Sequence, residues 1–269
     1  MLRLKTLWGL EIIKKQNIEA EIDFFNEIID KHGHFDTMSE EGYADLMKKI
    51  SPYIGKSVLD AGCGTGAFGV RIKRSHPNIR LYGVDLNSRY LELANSASVY
   101  DGLSCANLED QNIFGPLQFD TILCPYLLHH FPDMQLVVDN FYKWLRPEGY
   151  LIIIDPNGSN AILRITCKFR FILSRFLDMS EYGSINESHK SVTAFIDCLH
   201  GYKFSLVESF KHKSRSASGR RSFHLISLYV IIQKFLLNMY EHVPFIRYSG
   251  SDILIICSKK VDIDDCKKV

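Results

Sequence analysis

The sequence lacks an excess of charge of either sign. Its 269 residues include 32 Lys and Arg against 31 Asp and Glu, which gives a formal net charge of +1. A protein that binds nucleic acid through its phosphates normally carries a large positive excess. The charge balance therefore argues against a basic nucleic-acid binder, and we expect no nucleic-acid partner.

Long hydrophobic runs are also missing. The most apolar stretch, residues 222–240, is interrupted by His224, Gln233, Lys234 and Asn238, so it falls short of the roughly 18–20 apolar residues that a bilayer-spanning helix requires. The N-terminal segment is broken by charged side chains and is followed by no small-residue cleavage site, which argues against a secretory signal. We expect a cytoplasmic protein that at most touches a membrane surface.

Paired cysteines and repeats are absent as well. The seven cysteines are an odd number without paired short spacings, which excludes a disulfide framework or a zinc site and predicts reduced thiols and no metal. Neither internal repeats nor low-complexity tracts are found. With 46% hydrophobic and 12% aromatic residues, the chain can bury one large core, which excludes disorder as the dominant state.

What the sequence does contain is a regular alternation of predicted elements. Residues 1–50 are predicted to be helical, with apolar side chains recurring at helical spacing between Ile18 and Ile29. Strands are predicted at 57–61, 79–85, 103–106, 119–124 and 149–154, with helices at 66–75, 89–98 and 132–145 between them, and later strands at 203–210 and 253–258 separated by a long helix. Strands joined by helices predict a parallel, doubly wound sheet.

A glycine-rich turn follows the first of these strands. The strand ends in Asp60, and Gly62, Gly64 and Gly66 follow before the next helix. Glycines let a ligand approach the backbone closely, and the carboxyl ends of the strands are where open α/β sheets bind ligands. The second strand ends in Asp85, an acid that can accept hydrogen bonds from both hydroxyls of a ribose.

The glycine turn alone is ambiguous. Residues 62–67 also fit the G-x-G-x-x-G/A pattern of dinucleotide-binding proteins. However, Asp60 would repel a pyrophosphate, whereas a cationic sulfonium ligand with an ammonium group would favour a carboxylate nearby. The two late strands, which are separated by a helix-rich insertion, also argue against a dinucleotide-binding protein.

Four segments in this order and spacing resemble the class I S-adenosylmethionine-dependent methyltransferases. They are VLDAGCGTGAFG, LYGVDLNSRYLELA, FDTILCPYLLHHFPD and LRPEGYLIIIDP. The resemblance implies an α/β Rossmann-like methyltransferase fold, with a doubly wound, mostly parallel seven-stranded sheet and an antiparallel final strand. It also implies N-terminal helices, a helical insertion before the last strands, and S-adenosylmethionine bound across the strand ends, with S-adenosylhomocysteine as the product.

The resemblance also implies roles for individual residues. Around the methionine part of the cofactor it implies Asp60, Gly62, Cys63, Gly64, Thr65 and Gly66. Asp85 would hold the ribose and Leu86 would contact the adenine, while Asn107 stands where the family usually has an aspartate for the adenine amino group, and Leu108 would offer a backbone N–H. Cys124, Pro125 and Tyr126 would face the sulfonium and the substrate.

The end of the fourth strand also bears on the acceptor. Cys124-Pro125-Tyr126 differs from the Asn/Asp-Pro-Pro-aromatic motif that amino-directed methyltransferases of this superfamily often carry. The following LLHHF resembles the small-molecule and quinone-type branch, so we expect a small-molecule or lipid-like acceptor. The alternatives are a protein or nucleic-acid methyltransferase, and a non-catalytic relative that serves as a binding or regulatory partner.

Three histidines are candidates for the acceptor side. His129 and His130 are candidate general bases; alternatively they start a helix, and methyl transfer to an activated atom needs no base. His189 reaches the acceptor or belongs to a helix cap. Basic residues among apolar ones at 164–175 predict snorkelling side chains or a peripheral membrane contact.

These observations divide the chain into three parts. We expect an N-terminal helical cap at 1–50, the cofactor-binding core at 51–158, and an insertion at 159–269 that ends with the last two strands of the same domain. The sequence leaves open the identity of the acceptor, the atom that is methylated, the oligomeric state and the order of residues 211–221.

Overall fold

The computed structural model describes residues 2–5, 11–14, 17–32, 40–165, 188–200, 202, 204–212 and 252–260. The strands are β1 Leu2–Lys5, β2 Glu11–Lys14, β3 Ser57–Ala61, β4 Arg80–Asp85, β5 Gly102–Cys105, β6 Phe119–Pro125, β7 Leu145–Pro156, β8 Phe204–His212 and β9 Asp252–Lys259. The helices are α1 Ile18–His32, α2 Glu40–Ile50, α3 Ala67–Ser75, α4 Ser88–Ser96, α5 Gln135–Trp144 and α6 Val192–His200, with short 3-10 turns at Ser51–Tyr53 and Leu128–His130. The predicted long helix between the last two strands and most of the basic segment at 164–175 lie outside the described residues.

Seven of the strands form one sheet, in the order β5-β4-β3-β6-β7-β9-β8. The neighbours from β5 to β7 are parallel, whereas β9 is antiparallel to both β7 and β8. The predicted seven-stranded, mostly parallel sheet with an antiparallel last strand is thereby confirmed. Of the predicted helical insertion, only a helical turn at 161–165 and α6 belong to the described residues.

The sheet is buried on both faces, because its central strands carry apolar side chains on both sides. Ile153 and Ile255 face a core that contains Phe141, Trp144 and Phe195 of α5 and α6. The alternate residues of the same strands face a second core with side chains of α2 and α3. Helices on both faces fix the sheet, and the carboxyl ends of β3, β4, β6 and β7 meet at one edge.

The first residues correct the prediction of a helix over residues 1–50. β1 and β2 pair in antiparallel fashion, with Leu2 opposite Lys14 and Leu4 opposite Ile12. In β1 leucine alternates with a basic residue, and this period of two suits a strand. The helical pattern holds only from Ile18 onwards, where α1 begins.

Within the described part of the chain, no helix combines the length and apolarity that crossing a membrane requires.

Candidate active site

The glycine-rich turn leaves β3 in a conformation that depends on its glycines. Gly62, Gly64 and Gly66 have φ angles of 68°, 53° and 83°, which L side chains rarely adopt. The N–H groups of Gly62 and Cys63 both donate to the carbonyl of Val84, at 2.8 and 3.0 Å. The turn is therefore tied to the end of β4.

The three glycines face different surroundings. A Cβ on Gly62 would lie 2.6 Å from Leu127 Cδ1, whereas a Cβ on Gly64 would meet no atom closer than Tyr90 Cδ2 at 4.0 Å. The backbone at Gly64 thus borders open space, which is the cradle that a ligand lying against the backbone needs. Thr65 lies in the same turn and is partly exposed.

A buried carboxyl group lies beneath this turn. Asp60 has no exposed surface, and the Tyr100 hydroxyl donates to its Oδ2 at 2.7 Å. Its Oδ1 has no hydrogen-bond partner among the described residues. Burial, opposed by the Tyr100 hydrogen bond and reinforced by the charge of Asp85, raises the pKa of Asp60 to about 7. A cationic ligand above the turn would stabilise the ionised form of this group.

Asp85 ends β4 and spans the gap between two loops. Its Oδ2 accepts from the Gly64 N–H at 2.8 Å, and its Oδ1 accepts from the Asn87 N–H at 2.9 Å. Burial raises the pKa of Asp85, against the lowering effect of these backbone N–H groups. The carboxylate lies at the rim of the cradle, where the expected ribose contact would be made.

The residues that are expected to contact the adenine directly follow strands β4 and β5 in the sequence. Leu86 and Asn107 are half-buried and Leu108 is buried. Asn107 Oδ1 accepts from the Glu109 N–H at 3.0 Å, which leaves one of its two lone pairs for a ligand. Asn140 Nδ2 donates to the Leu108 carbonyl at 2.9 Å, so α5 holds this loop in place.

Of the three residues at the end of β6 that were expected to face the cofactor and the substrate, one is placed elsewhere. Cys124 has no exposed surface and belongs to the apolar core, so it fills the core instead of lining the site. Pro125 and Tyr126 are half-buried at the strand end. Tyr126 has a φ of 52°, and its hydroxyl donates to Asp252 Oδ2 of β9 at 3.2 Å.

The two thiols near the site are not nucleophiles. Burial raises the pKa of both Cys63 and Cys124 well above the ordinary value of a thiol. A thiol that stays protonated is a weak nucleophile. Both side chains are buried and act as small apolar filling.

The two adjacent histidines after β6 contact acids from different elements. His129 Nδ1 lies 2.5 Å from Asp155 Oδ1 at the end of β7, and His130 Nδ1 lies 2.7 Å from Glu21 Oε1 of α1. The ring centroids of His129 and His189 are 5.9 Å apart. The predicted histidines therefore meet at one place, next to the strand ends.

Helix α1 closes one side of this edge. Asn87 Nδ2 donates to Asn26 Oδ1 at 3.0 Å. The Phe25 ring lies 5.6 Å from that of Tyr90 and 5.4 Å from that of His130. These contacts join α1 both to the beginning of α4 and to the histidine pair.

Sequence reasoning missed several partners in the site. Roles for Tyr100 and Glu21, and the contact of Asp155 with His129, were not predicted. Only Asp155 carried a usable signal, because it ends a strand next to the one that leads into the two histidines. Tyr100 and Glu21 lie in segments whose patterns predict helix or loop and nothing more.

No group of three or more His, Cys, Asp or Glu side chains in the described ranges is arranged to hold a metal ion. The absence of a metal from the reaction stays a prediction.

Comparison with known proteins assigns the family. A family model described as a methyltransferase domain matches residues 54–195, more than half of the chain. The matched range contains the glycine turn, Asp85, the histidine pair and Asp155.

Curated relatives and solved structures agree with this match. The chain is 27% identical over 186 residues to a ubiquinone biosynthesis O-methyltransferase of Chromobacterium violaceum, covering 61% of this chain and 79% of that protein. It is 30% identical over 163 residues to the protein of the same name from Neisseria meningitidis, covering 54% and 65%. It shares the fold of an S-adenosylmethionine-dependent methyltransferase structure from Archaeoglobus fulgidus, with a TM-score of 0.53, 16% identity, and coverage of 88% of this chain and 100% of that chain.

The cradle at Gly64 and the unpartnered oxygen of Asp60 suit the cofactor of such enzymes, because its methionine part is cationic. The family match extends across the same strand ends. This chain belongs to the methyltransferase domain family and is an S-adenosylmethionine-dependent methyltransferase.

Proposed function

We propose that this enzyme methylates a hydroxyl oxygen of a small-molecule or lipid-like acceptor. The donor assignment depends on the buried carboxyl of Asp60, one of whose oxygens has no hydrogen-bond partner among the described residues. This carboxyl lies beneath a glycine turn that borders open space. A negative group there favours a sulfonium with an ammonium group and disfavours a pyrophosphate. The donor would lie along the turn, with its ribose at Asp85.

Three observations support the acceptor class. The curated relatives are named ubiquinone biosynthesis O-methyltransferases. The formal net charge of +1 gives no electrostatic attraction for nucleic acid. The Cys124-Pro125-Tyr126 sequence lacks the side-chain amide that would hold a target nitrogen.

The residues would divide the work as follows. The glycine turn and the end of β4 would bind and orient the donor. Leu86, Asn107 and Leu108 would contact its adenine. When bound, S-adenosylmethionine supplies a methyl group on a positively charged sulfur. Tyr126 and the histidine pair face the acceptor side and orient it, and positioning of this kind contributes much of the rate in a group transfer.

The chain would be organised in three parts. Residues 1–50 would cap the site, 51–158 would form the cofactor-binding core, and 159–269 would supply the acceptor side and the last two strands. We also infer a cytoplasmic location and a reaction without a metal. A peripheral membrane contact through the basic segment around Arg164 would suit a lipid-like acceptor.

Titration calorimetry tests the donor assignment. We expect the wild-type protein to bind S-adenosylmethionine and S-adenosylhomocysteine and not NAD. The Asp85→Ala variant should bind both about 10- to 150-fold more weakly, because charge-assisted hydrogen bonds worth about 1.5–3 kcal/mol are lost. The exposed Asp197 provides the matched control, and Asp197→Ala should retain wild-type affinity. Unchanged affinity in Asp85→Ala would contradict the ribose assignment, and binding of NAD alone would contradict the function.

A further inference from the structure

The side chain of Asp60 is held by Tyr100, a residue of the loop that leads into β5. The Tyr100 hydroxyl donates to Asp60 Oδ2 at 2.7 Å, although the two residues are 40 positions apart. Burial and the charge of Asp60 raise the pKa of this hydroxyl well above its ordinary value, so it stays protonated and serves as the donor. Whenever Asp60 is ionised, the contact is a charge-assisted hydrogen bond.

Three glycines from three different elements make room for the Tyr100 side chain. A Cβ on Gly66 of the turn would lie 3.2 Å from Tyr100 Cε2, and a Cβ on Gly83 of β4 would lie 3.0 Å from Tyr100 Cε1. A Cβ on Gly69 of α3 would overlap the hydroxyl itself. The ring thus fills a slot that side chains at these positions would narrow or close, and the slot directs the hydroxyl to Asp60.

Packing alone does not require this hydroxyl. A phenylalanine ring would fill the same slot without bringing a polar group into the interior, where such a group costs free energy unless it is hydrogen-bonded. The partner of the Tyr100 hydroxyl is a carboxyl group that itself has no exposed surface. The pair is therefore costly as packing, and its benefit lies in holding a negative charge beneath the glycine turn.

The charge of Asp60 acts on the cradle through the protein interior. Burial and then the charge of Asp60 raise the pKa of the Cys63 thiol, which lies in the turn itself. Charges in a medium of low dielectric constant interact strongly without touching. A cofactor with a positively charged methionine part therefore responds to the ionisation of Asp60, although Asp60 has no exposed surface.

We propose that Tyr100 is a positioning residue of the cofactor site, whose hydroxyl fixes the Asp60 carboxylate beneath the glycine turn and stabilises the negative charge on which binding of the cationic cofactor depends. This inference rests on the proposed function and deepens it. Tyr100 acts through Asp60 and takes no part in the transfer of the methyl group. The enzyme then loads its donor when Asp60 is ionised, and Tyr100 sets the pH at which this occurs.

Several titratable groups face Asp60 and contribute to its pH dependence. They are Tyr100 of the loop before β5, Cys63 of the turn, Asp85 of β4, Cys124 of β6, and His130, which acts through Asp85. The two thiols stay protonated, because burial raises their pKa values. Asp85 keeps its own hydrogen bonds when Tyr100 is changed, so a difference between such a variant and the wild type reports on Asp60.

The affinity for S-adenosylmethionine as a function of pH tests this role. Titration calorimetry from about pH 6 to about pH 9 compares the wild type with Tyr100→Phe, which keeps the ring in its slot and removes only the hydroxyl. We expect the variant to bind about tenfold more weakly at about pH 6 and within about twofold of the wild type at about pH 9, because loss of the hydrogen bond moves the ionisation of Asp60 to higher pH by about one unit. Any titration of the ligand itself cancels in the ratio of the two affinities.

Proton release gives a second measurement. Near pH 8, wild-type Asp60 has little proton left to lose, whereas Tyr100→Phe should release about half a proton more when S-adenosylmethionine binds. Calorimetry in two buffers of different ionisation enthalpy counts these protons. If the hydroxyl served packing alone, Tyr100→Phe would weaken binding by a similar factor at every pH and leave proton release unchanged, and that result would overturn the proposal.

Two further variants make the comparison independent of one substitution. Gly69→Ala brings a Cβ into the place of the Tyr100 hydroxyl and should reproduce the pH dependence of Tyr100→Phe, so it serves if that variant does not fold. Tyr82→Phe is the matched control and should behave as wild type, because Tyr82 packs against Phe119 in the core on the other face of the sheet. Urea denaturation shows whether each variant is folded.

The outcomes separate this proposal from the assignment of the donor. Overlapping affinity curves for the wild type and a folded Tyr100→Phe would show that the hydroxyl has no such role. In an Asp60→Asn background the same change should have no further effect on affinity, and an effect of equal size there would contradict a role through Asp60. Failure of the wild type to bind S-adenosylmethionine at any pH would instead contradict the proposed function.

Discussion

Asp60 carries a carboxyl group without exposed surface, beneath a turn that borders open space. In the protein without a cofactor, the Tyr100 hydroxyl satisfies one of its oxygens. The other oxygen has no hydrogen-bond partner within the described residues, so nothing there stabilises its ionised form. The energetic cost of this arrangement points to a ligand that brings a positive charge.

Asp60 predicts how stability depends on pH. Its pKa is about 7 in the folded protein against about 4 in an unfolded chain, so between these values the folded state holds a proton that the unfolded state has released. The free energy of unfolding of the cofactor-free protein should therefore fall as pH rises from about 4 to 7. Asp60→Asn should remove the part of this slope that Asp60 contributes and exceed the wild type at pH 8 by about 2–4 kcal/mol, measured by urea denaturation. Parallel pH curves for the two proteins would contradict the assignment.

The same group predicts proton release when the cofactor binds. A cation above the turn favours the ionised carboxylate, so binding of S-adenosylmethionine near pH 7 should release a proton and strengthen as pH rises. Calorimetry in two buffers of different ionisation enthalpy measures this release. Asp60→Asn should bind at least about tenfold more weakly, and the release assigned to Asp60 should disappear. Asp197→Asn should behave as wild type in both respects.

The residues of the site were predictable where one segment holds a complete signal. The glycine turn, Asp60 and Asp85 were identified from short motifs, and the structure brings them together. The pairs Asp60–Tyr100 and His129–Asp155 were not predicted, since their members are separated by 40 and 26 residues. Such pairs depend on how strands and loops are arranged in three dimensions, which a local pattern does not contain.

At the level of elements, α1 is held to the cofactor side by few but specific contacts. Asn87 begins α4, and its Oδ1 accepts from the N–H groups of Arg89 and Tyr90. Its Nδ2 donates to Asn26 of α1. One asparagine thus serves as the cap of one helix and the docking point of another.

Removing this docking point should loosen α1. Asn26→Ala leaves Asn87 Nδ2 with the Ile22 carbonyl at 3.4 Å, a loss of about 1 kcal/mol. We expect faster amide hydrogen exchange across residues 18–32 and about fivefold weaker binding of S-adenosylhomocysteine. Glu27→Ala is the control on the same helix, because Glu27 is half-exposed and pairs with Lys31 at the surface, and such pairs contribute little. Equal exchange in the two variants would contradict a docking role for Asn26.

The elements of the sheet were predicted better than the N-terminal ones. The predicted strand at 57–61 agrees with β3, and the others differ by a few residues at their ends. Continuous apolar runs between glycines and charged residues define such buried strands. The β1–β2 hairpin was missed because each of its strands has only four residues, too few for a period of two to outweigh the helical pattern that follows.

In the molecule as a whole, a buried lysine joins the last strand to the end of α5 and the start of β7. Lys259 is 8% exposed. Its Nζ donates to the carbonyls of Tyr142 and Leu145, at 2.7 and 2.9 Å, and lies 4.4 Å from the centre of the Tyr142 ring. A cation suits the end of α5, where the helix carbonyls lack partners.

Lys259→Met should therefore destabilise the fold. It keeps an apolar chain of similar length but leaves two carbonyls without their donor, at a cost of about 1–3 kcal/mol in the free energy of unfolding. Urea denaturation measures the change. Lys143→Met provides the comparison, because the Lys143 side chain is exposed and donates to Gln111 at the surface, and it should change stability by less than about 0.5 kcal/mol. Similar losses in both variants would show that the buried contacts of Lys259 are unimportant.

The overall architecture could be predicted because every part of the sheet has its own strand signal, and the four motif segments fix the order. The acceptor side could not be predicted in the same way. In the proposed arrangement, much of it comes from the sequence after Asp155, where helical and loop patterns alternate without a motif. Substrate pockets of this kind vary in sequence while the cofactor side keeps its backbone geometry.

Asn87 has one more consequence. The Asn87 N–H donates to Asp85, which also accepts from the Gly64 N–H. The Asn87 side chain donates to Asn26 of α1. A continuous line of hydrogen bonds therefore runs from the cradle at Gly64 to α1. Binding energies that are linked in this way are reciprocal. Changes that loosen α1, such as at Asn26, are therefore expected to lower the affinity for the cofactor without altering any group that touches it.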